Sequence, residues 1–298
     1  VGSEMCIRDS CSSVWDPTES LIEISFYSPT VSGSGDPVGR IGKWNGVKTT
    51  AIAGVRGSCA GNMKVVHTFV LDWRDGKNAN DKRRDLSVAN YKYDDDYVLW
   101  AKGKSDTEES AKLKDQDPTQ AQKEKQNYTP AKWDLIKYQK TGGVINNDKS
   151  NANWYFLRYA DVLLIYAEAL NECNRTADAY YYINEVRNRV GLGDLKTGLS
   201  KEEFREAVLR ERACEFGFEE VRFYDLIRWK READFTKHLH GLYFYKNKNT
   251  GEYLCEFPQL KERAWQKAGG FSPRYYLSAF PPKEVNKGYG LVQNPGWE

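Results

Sequence analysis

Long apolar runs are missing from this chain. The longest, Val162 to Ala167, is far short of the ~20 residues that a membrane-spanning helix requires. An excess of one charge is also missing: 44 Lys and Arg stand against 42 Asp and Glu, a net charge of +2. With no basic stripe in the sequence, that balance argues against nucleic acid as a partner. The six cysteines (Cys6, Cys11, Cys59, Cys173, Cys214 and Cys255) contain no C-x-x-C pair, which leaves zinc and thioredoxin-like chemistry unsupported. No G-x-S-x-G, H-E-x-x-H or P-loop is present. Val1 to Ser10 has no apolar signal core, and neither Cys6 nor Cys11 follows the small apolar residues of a lipoprotein signal. Residues 1–10 read as a non-native leader, translated vector or adapter, whose codons are expected to be absent from genomic DNA.

Aromatic residues are abundant. Nine Trp, nineteen Tyr and twelve Phe make up 13% of 298 residues, and 40% of the chain is hydrophobic, enough for a substantial core. Tyr and Trp pair a large apolar face with a polar edge, which suits helix interfaces and also surfaces that grip sugars.

Residues 11–150 read as a loop-rich part with short strands. Leu21 to Tyr27 alternates like a strand, Ser28 to Gly46 is a Gly/Ser/Pro loop, and Gly103 to Asn127 is a polar, solvated loop. Val65 to Leu71 fits a strand, with a helix as the alternative, and Leu86 to Tyr93 fits a strand. Residues 151–232 form a helical core. Trp154 to Asn171 repeats apolar residues at helical spacing and is expected to be buried nearly all round, with Cys173 and Cys214 as small hydrophobes in helical patterns. A second helix runs from about Thr176 to Val190 and stops at Gly191. Ser200 to Glu203 forms a capping box that opens a third helix with Phe204, Ala207, Val208 and Phe218 on its stripe. A fourth helix spans roughly Glu219 to Trp229. Residues 233–298 read as an aromatic, extended C-terminal wrap. The fold class is mainly α: tetratricopeptide-like helical hairpins with long loops and a few short strands, with no clean repeat.

The densest chemical constellation is Glu211, Arg212, Glu215, Glu219, Arg222, Asp225 and Arg228. Glu211 and Glu215 share the apolar stripe of the third helix and so point inward, where carboxylates need partners. Arg222 and Arg228 on the next helix are the expected partners, forming a structural ion network. The alternative is a glycosidase pair acting across about 5–10 Å. Weaker candidates are His238 and His240 with Asp234 for a metal, Asp94 to Asp96 for calcium, and Gly33, Gly35 and Gly39 for a nucleotide. Each has a plainer reading as ordinary surface or turn. No cofactor is expected.

Three stretches carry a resemblance. Trp154 to Ala169 resembles the RYADVLL-x-x-AEA helix of the SusD/RagB family. Glu211 to Trp229 resembles that family's ER-x-x-E-x-x-FE-x-x-R-x-x-DL-x-RW segment, and Phe280 to Glu284 with Gln293 to Gly296 resembles its closing IP-x-x-E…QNPG. Asp81 to Asp85 and Ile136 to Tyr138 are weaker markers in the same order. The resemblance covers roughly residues 80–298 and implies an N-terminally truncated member, without the lipid-bearing cysteine or the first helices. It implies a nutrient-binding lipoprotein of the outer-membrane surface, non-catalytic, that captures glycan and partners a SusC-like TonB-dependent transporter. The membrane would be reached only through the missing anchor. It also implies a ligand surface on loops, for which Tyr27, Arg40, Trp44, Asn45 and Trp73 are the candidates. A helical scaffold for a protein partner, or a glycoside hydrolase, are the alternatives.

Overall fold

The computed structural model describes residues 19–24, 26, 41–51, 58–76, 80–89, 91–93, 97–99, 115–116, 124–126, 128–133, 153–237, 239–240, 242–247, 253–256 and 271–298. Residues 1–10, Tyr27, Arg40, the three glycines at 33, 35 and 39, Asp94 to Asp96 and His238 lie outside them.

The first half holds short elements around a small core. Strand β1 (Ser20–Ile24) is followed by helices α1 (Ile41–Asn45), α2 (His67–Asp75) and α3 (Lys82–Ser87). Val65 to Leu71 is therefore mostly helical, taking the second of its two readings. The predicted strand from Leu86 to Tyr93 is divided: α3 holds Leu86 and Ser87, and β2 (Val88–Ala89) and β3 (Tyr91–Tyr93) follow. The cause is local, because Asp81 caps α3 by accepting from the Arg83 N–H at 2.9 Å. Strand β3 pairs with β4 (Tyr97–Leu99). The polar stretch expected to be solvated loop supplies β5 (Asp115–Gln116) and β6 (Glu124–Gln126), and β7 (Thr129–Pro130) pairs with β2. Val65, Val70, Trp73, Val88 and Tyr128 pack with Cys214 from the second half.

The second half begins with a correction. Trp154 to Arg158 is strand β8, antiparallel to β1, and the helix α4 starts only at Tyr159 and ends at Glu172. Three consecutive aromatic residues favour the pleated state, and pairing with β1 supplies their backbone partners. Helix α5 (Thr176–Arg189) packs antiparallel on α4, and α6 (Lys201–Glu215) and α7 (Val221–Arg228) form a second hairpin. The Ser200 box is complete: Glu203 N–H donates to Ser200 Oγ at 3.2 Å, and Ser200 N–H donates to the Glu203 carboxylate at 2.8 Å. Gly191, at φ +81°, closes α5 with the two backward bonds of a Schellman turn, Leu192 N–H to Arg187 C=O and Gly191 N–H to Asn188 C=O. Buried Asn171 ties the hairpins together, donating to the Lys201 carbonyl and accepting from Thr176 Oγ1.

The apolar stripes of α4, α5 and α6 meet in one core, with Leu164, Ile183, Phe204 and Val208 fully buried. Helix α4 is not buried all round, as its sequence suggests. Tyr159, Val162, Ile165 and Tyr166 stand outward and exposed. Phe218 lies beyond the end of α6, off its stripe, and Cys173 caps α4 at the surface. Cys214 is buried, which pushes its thiol up to about 12 and leaves it inert.

After α8 (Glu232–Thr236), strand β9 (Leu242–Asn247) pairs with β10 (Tyr253–Glu256), β5 and β6, so the tail is more regular than a wrap. The short helix α9 (Pro282–Val285) precedes the closing segment. There Gln293 imitates a backbone unit: its side-chain oxygen accepts from Phe280 N–H at 2.8 Å, and its amide donates to the Phe280 carbonyl at 3.0 Å.

Ser200→Ala is expected to cost about 1 kcal/mol. Phe204→Ala, at the centre of the helical core, should cost about 3–5 kcal/mol. Urea unfolding of the two variants measures both, and equal costs would contradict the placement of the core.

Candidate functional site

A charged layer lies beneath the surface, between the loop-rich half and the helices. Asp81 and Arg83 come from the start of α3, Lys132 from the turn after β7, Arg158 from the end of β8, and Glu211 and Glu215 from α6. Arg83 sends Nη2 to Glu211 Oε1 at 2.6 Å and Nη1 to Glu215 Oε2 at 2.8 Å, while its Nε binds Asp81 at 2.9 Å. Arg187 binds the other oxygen of Glu211 at 3.1 Å. Arg158 binds Glu215 Oε1 at 3.0 Å and both oxygens of Glu219, and Arg189 joins Glu215 to Glu19. Lys132 donates to Glu219 at 2.5 Å and to the Glu215 carbonyl at 2.7 Å. Five cations (Arg83, Lys132, Arg158, Arg187, Arg189) thus meet five carboxylates (Glu19, Asp81, Glu211, Glu215, Glu219), so the layer is neutral as a whole.

This arrangement holds structure together and leaves no room for glycosidase chemistry at the two glutamates. Glu211 and Glu215 are each 1% exposed, and every carboxylate oxygen already has a guanidinium. Burial alone would raise the Glu215 pKa, but Arg189, Arg158, Arg83 and Lys132 together hold it well below the usual carboxylate range. A general acid needs the opposite shift.

The partners differ from those expected. Arg222 makes one long bond, 3.4 Å, to the Leu209 carbonyl, and Arg228 serves Asp225 and Glu168. The arginines that close on Glu211 and Glu215 come from distant segments, which spacing along α6 and α7 cannot reveal. Arg212 spans Asp225 at 2.8 Å and Asp161 at 2.6 Å, fastening α6 to α7 and α4. The Arg158 and Arg212 guanidiniums both lie over the Phe216 ring, at 4.9 and 5.1 Å from its centre.

The loop candidates separate. Trp73 is 0% exposed and donates its indole N–H to Asp81 at 3.0 Å, so it is core and cannot meet a ligand. Its place on α2, at the buried face beside Val70, decides that. Trp44 is 49% exposed at the end of α1, with Asn45 half-buried beside it. Their turn is closely packed. Gly46 N–H donates to Gly42 C=O at 2.9 Å, Trp44 C=O accepts from Asn62 N–H at 2.7 Å, and a Cβ at Gly46 would sit 2.1 Å from the Trp133 carbonyl. Only glycine permits that approach. His240 offers its carbonyl to His67 Nδ1 at 3.0 Å, and no cluster of three metal-ligating side chains exists among the described residues.

An open cleft of about 350 Å³ lies beside this turn, lined by Met63, Phe218, Glu220, Arg222, Phe223 and Tyr224. Met63 follows the Asn62 held by Trp44, and Trp133, under Gly46, donates its indole N–H to the Phe218 carbonyl at 2.9 Å. Sequence reasoning missed Phe223 and Tyr224. Their only mark in the sequence is two adjacent rings near the start of α7.

A profile of the SusD family matches residues 69–297, and the chain belongs to that family. A solved SusD homolog from Bacteroides thetaiotaomicron is 52% identical with a TM-score of 0.73, over 99% of this chain and 55% of that one. SusD-like protein P2 of Formosa agariphila is 38% identical over 106 residues, which is 32% of this chain and 21% of the relative. Surface glycan-binding protein A from Bacteroides thetaiotaomicron, solved in complex with laminarihexaose, is similar in fold: TM-score 0.57 at 20% identity, over 93% of this chain and 52% of that one. The chain thus spans about half the length of its solved relatives.

The charged layer gives stability a pH dependence. Folding favours ionised Glu215, so its contribution is present above the unfolded value of about 4.3 and is lost as pH falls toward the depressed folded value. Glu19 works the other way: burial raises its pKa against Arg158 and Arg189, so its contribution is present in acid and lost as pH rises. Glu215→Gln should cost about 3–5 kcal/mol at pH 7, because it leaves guanidiniums unpaired. The deficit should shrink below pH 4. Urea melts at pH 7 and pH 3 check this, and a constant deficit would assign the loss to packing alone.

Proposed function

We propose that this protein is a surface lipoprotein of the outer membrane that captures glycan and delivers it to a SusC-like TonB-dependent transporter, without chemistry of its own. The observation that carries the reading is the Trp44 turn: a half-exposed indole with a half-buried amide beside it, seated by Gly46 against the Trp133 carbonyl. Stacked rings supply affinity for the C–H face of a sugar, and a few polar groups orient it. Family membership and the laminarihexaose bound by a relative of the same fold support the same class of ligand. The carboxylates that would serve a hydrolase are spent on arginines, which supports capture without turnover. Asn45 joins Trp44 in the proposed site, and Tyr27 and Arg40, outside the described residues, stay in the proposal from the sequence resemblance alone. No helix among the described residues is long and apolar enough to cross a membrane, and attachment through a lipid anchor is compatible with that.

The outward face of α4 favours a second reading, a scaffold for a protein partner. Tyr159, Val162, Ile165 and Tyr166 are all exposed there, more than a lone surface usually carries in one place.

Trp44→Ala should abolish retention on the glycan that the full-length protein selects from a polysaccharide array, with its thermal midpoint moved by only a few degrees. Unchanged affinity removes Trp44 from the site. Absence of retention on every glycan would favour the scaffold.

A further inference from the structure

We infer that the cleft at the start of α7 is a second sugar subsite, taking one neutral pyranose of a longer chain beside the residue held at Trp44. The inference rests on the glycan reading above, and four observations on the cleft itself support it.

Its volume, about 350 Å³, falls within the range of small-molecule sites. Its walls offer rings: Phe223 is 55% exposed and Tyr224 68%, with Phe218 behind them. Phe223 is fixed from the side by Phe235, edge-on at 6.0 Å, and Phe235 stacks on Phe271 at 4.5 Å, so the wall does not depend on the ligand for its shape.

Its polar groups suit vicinal hydroxyls, which both donate and accept. Arg222 has five N–H donors and makes the single long bond to Leu209, leaving donors for a ligand. Burial lowers the Arg222 pKa, in keeping with a guanidinium short of partners. Glu220 is exposed and caps nothing, so its carboxylate is an available acceptor. Among the lining residues Glu220 and Arg222 stand one against one, so the cleft carries no surplus positive charge. A neutral sugar fits that balance better than a uronate.

The backbone is held in a costly shape there. Phe218 and Glu220 have φ of +71° and +65°, where side chains other than glycine's are disfavoured. Between them Glu219 is clamped by Arg158 and Lys132, and the Phe218 carbonyl is held by Trp133. Strain of that kind persists only where the surroundings over-determine it, and it collects at ligand clamps. Here it turns both residues toward one cleft. Trp133 joins that clamp to the Gly46 turn, so the two subsites share one support.

The test uses the full-length protein on an array of polysaccharides and oligosaccharides that includes laminarin and laminarihexaose, followed by calorimetry with the tightest oligosaccharide retained. Tyr224→Ala removes an exposed ring. Glu220→Gly removes the carboxylate at a φ that glycine adopts freely, so both variants should keep the fold. Each is expected to weaken binding about tenfold, with a thermal midpoint within a few degrees of wild type. Wild-type binding with unchanged affinity in both variants overturns the subsite and leaves the glycan reading standing. No retention of any glycan by the wild type overturns both.

Discussion

Arg83 reaches from the first turn of α3 into the space under α6, where its two terminal nitrogens find one carboxylate each, Glu211 and Glu215. Its Nε stays on Asp81, the same residue that caps α3 and receives the Trp73 indole. One guanidinium therefore joins the core of the loop-rich half to the longest helix of the second. A buried carboxylate without such a partner would cost several kcal/mol, so neither half can keep its charged face buried alone. Arg158 repeats the device from β8, binding Glu215 and Glu219 while its strand pairs with β1.

The ligand-facing features hang from that layer. Glu219 belongs to it, and its neighbours Phe218 and Glu220 are the two residues forced to positive φ at the cleft. Lys132 belongs to it as well, and the next residue, Trp133, supports Gly46 and hence the exposed Trp44. Neutral, buried ion pairing below and exposed rings above divide the labour. The lower layer fixes positions, and the upper one carries the proposed contacts with sugar.

Much of the helical half was legible in the sequence, because its signals are local. The Ser200 box, the Gly191 stop and the inward stripe carrying Glu211 and Glu215 depend on residues within a turn or two. The strand at Trp154 to Arg158 has the apolar spacing of a helix, because its partner, β1, lies 130 or more residues away and leaves no trace in local spacing. Separation along the chain likewise hides Arg83 and Arg158, 132 and 57 residues from Glu215, whereas Arg222 and Arg228 are the cations nearby in sequence. Trp73 and Trp44 show the limit for the site. Both are tryptophans in short loop-flanked helices, and only packing reveals that one is core and the other surface.

The most direct test is a crystal structure of the full-length protein with the longest oligosaccharide it retains. The account predicts sugar rings against Trp44 and in the Phe223–Tyr224 cleft, with Glu211, Arg83 and Glu215 still closed on one another and dry. A glycosidic bond lying between Glu211 and Glu215 would contradict it and make the chain an enzyme.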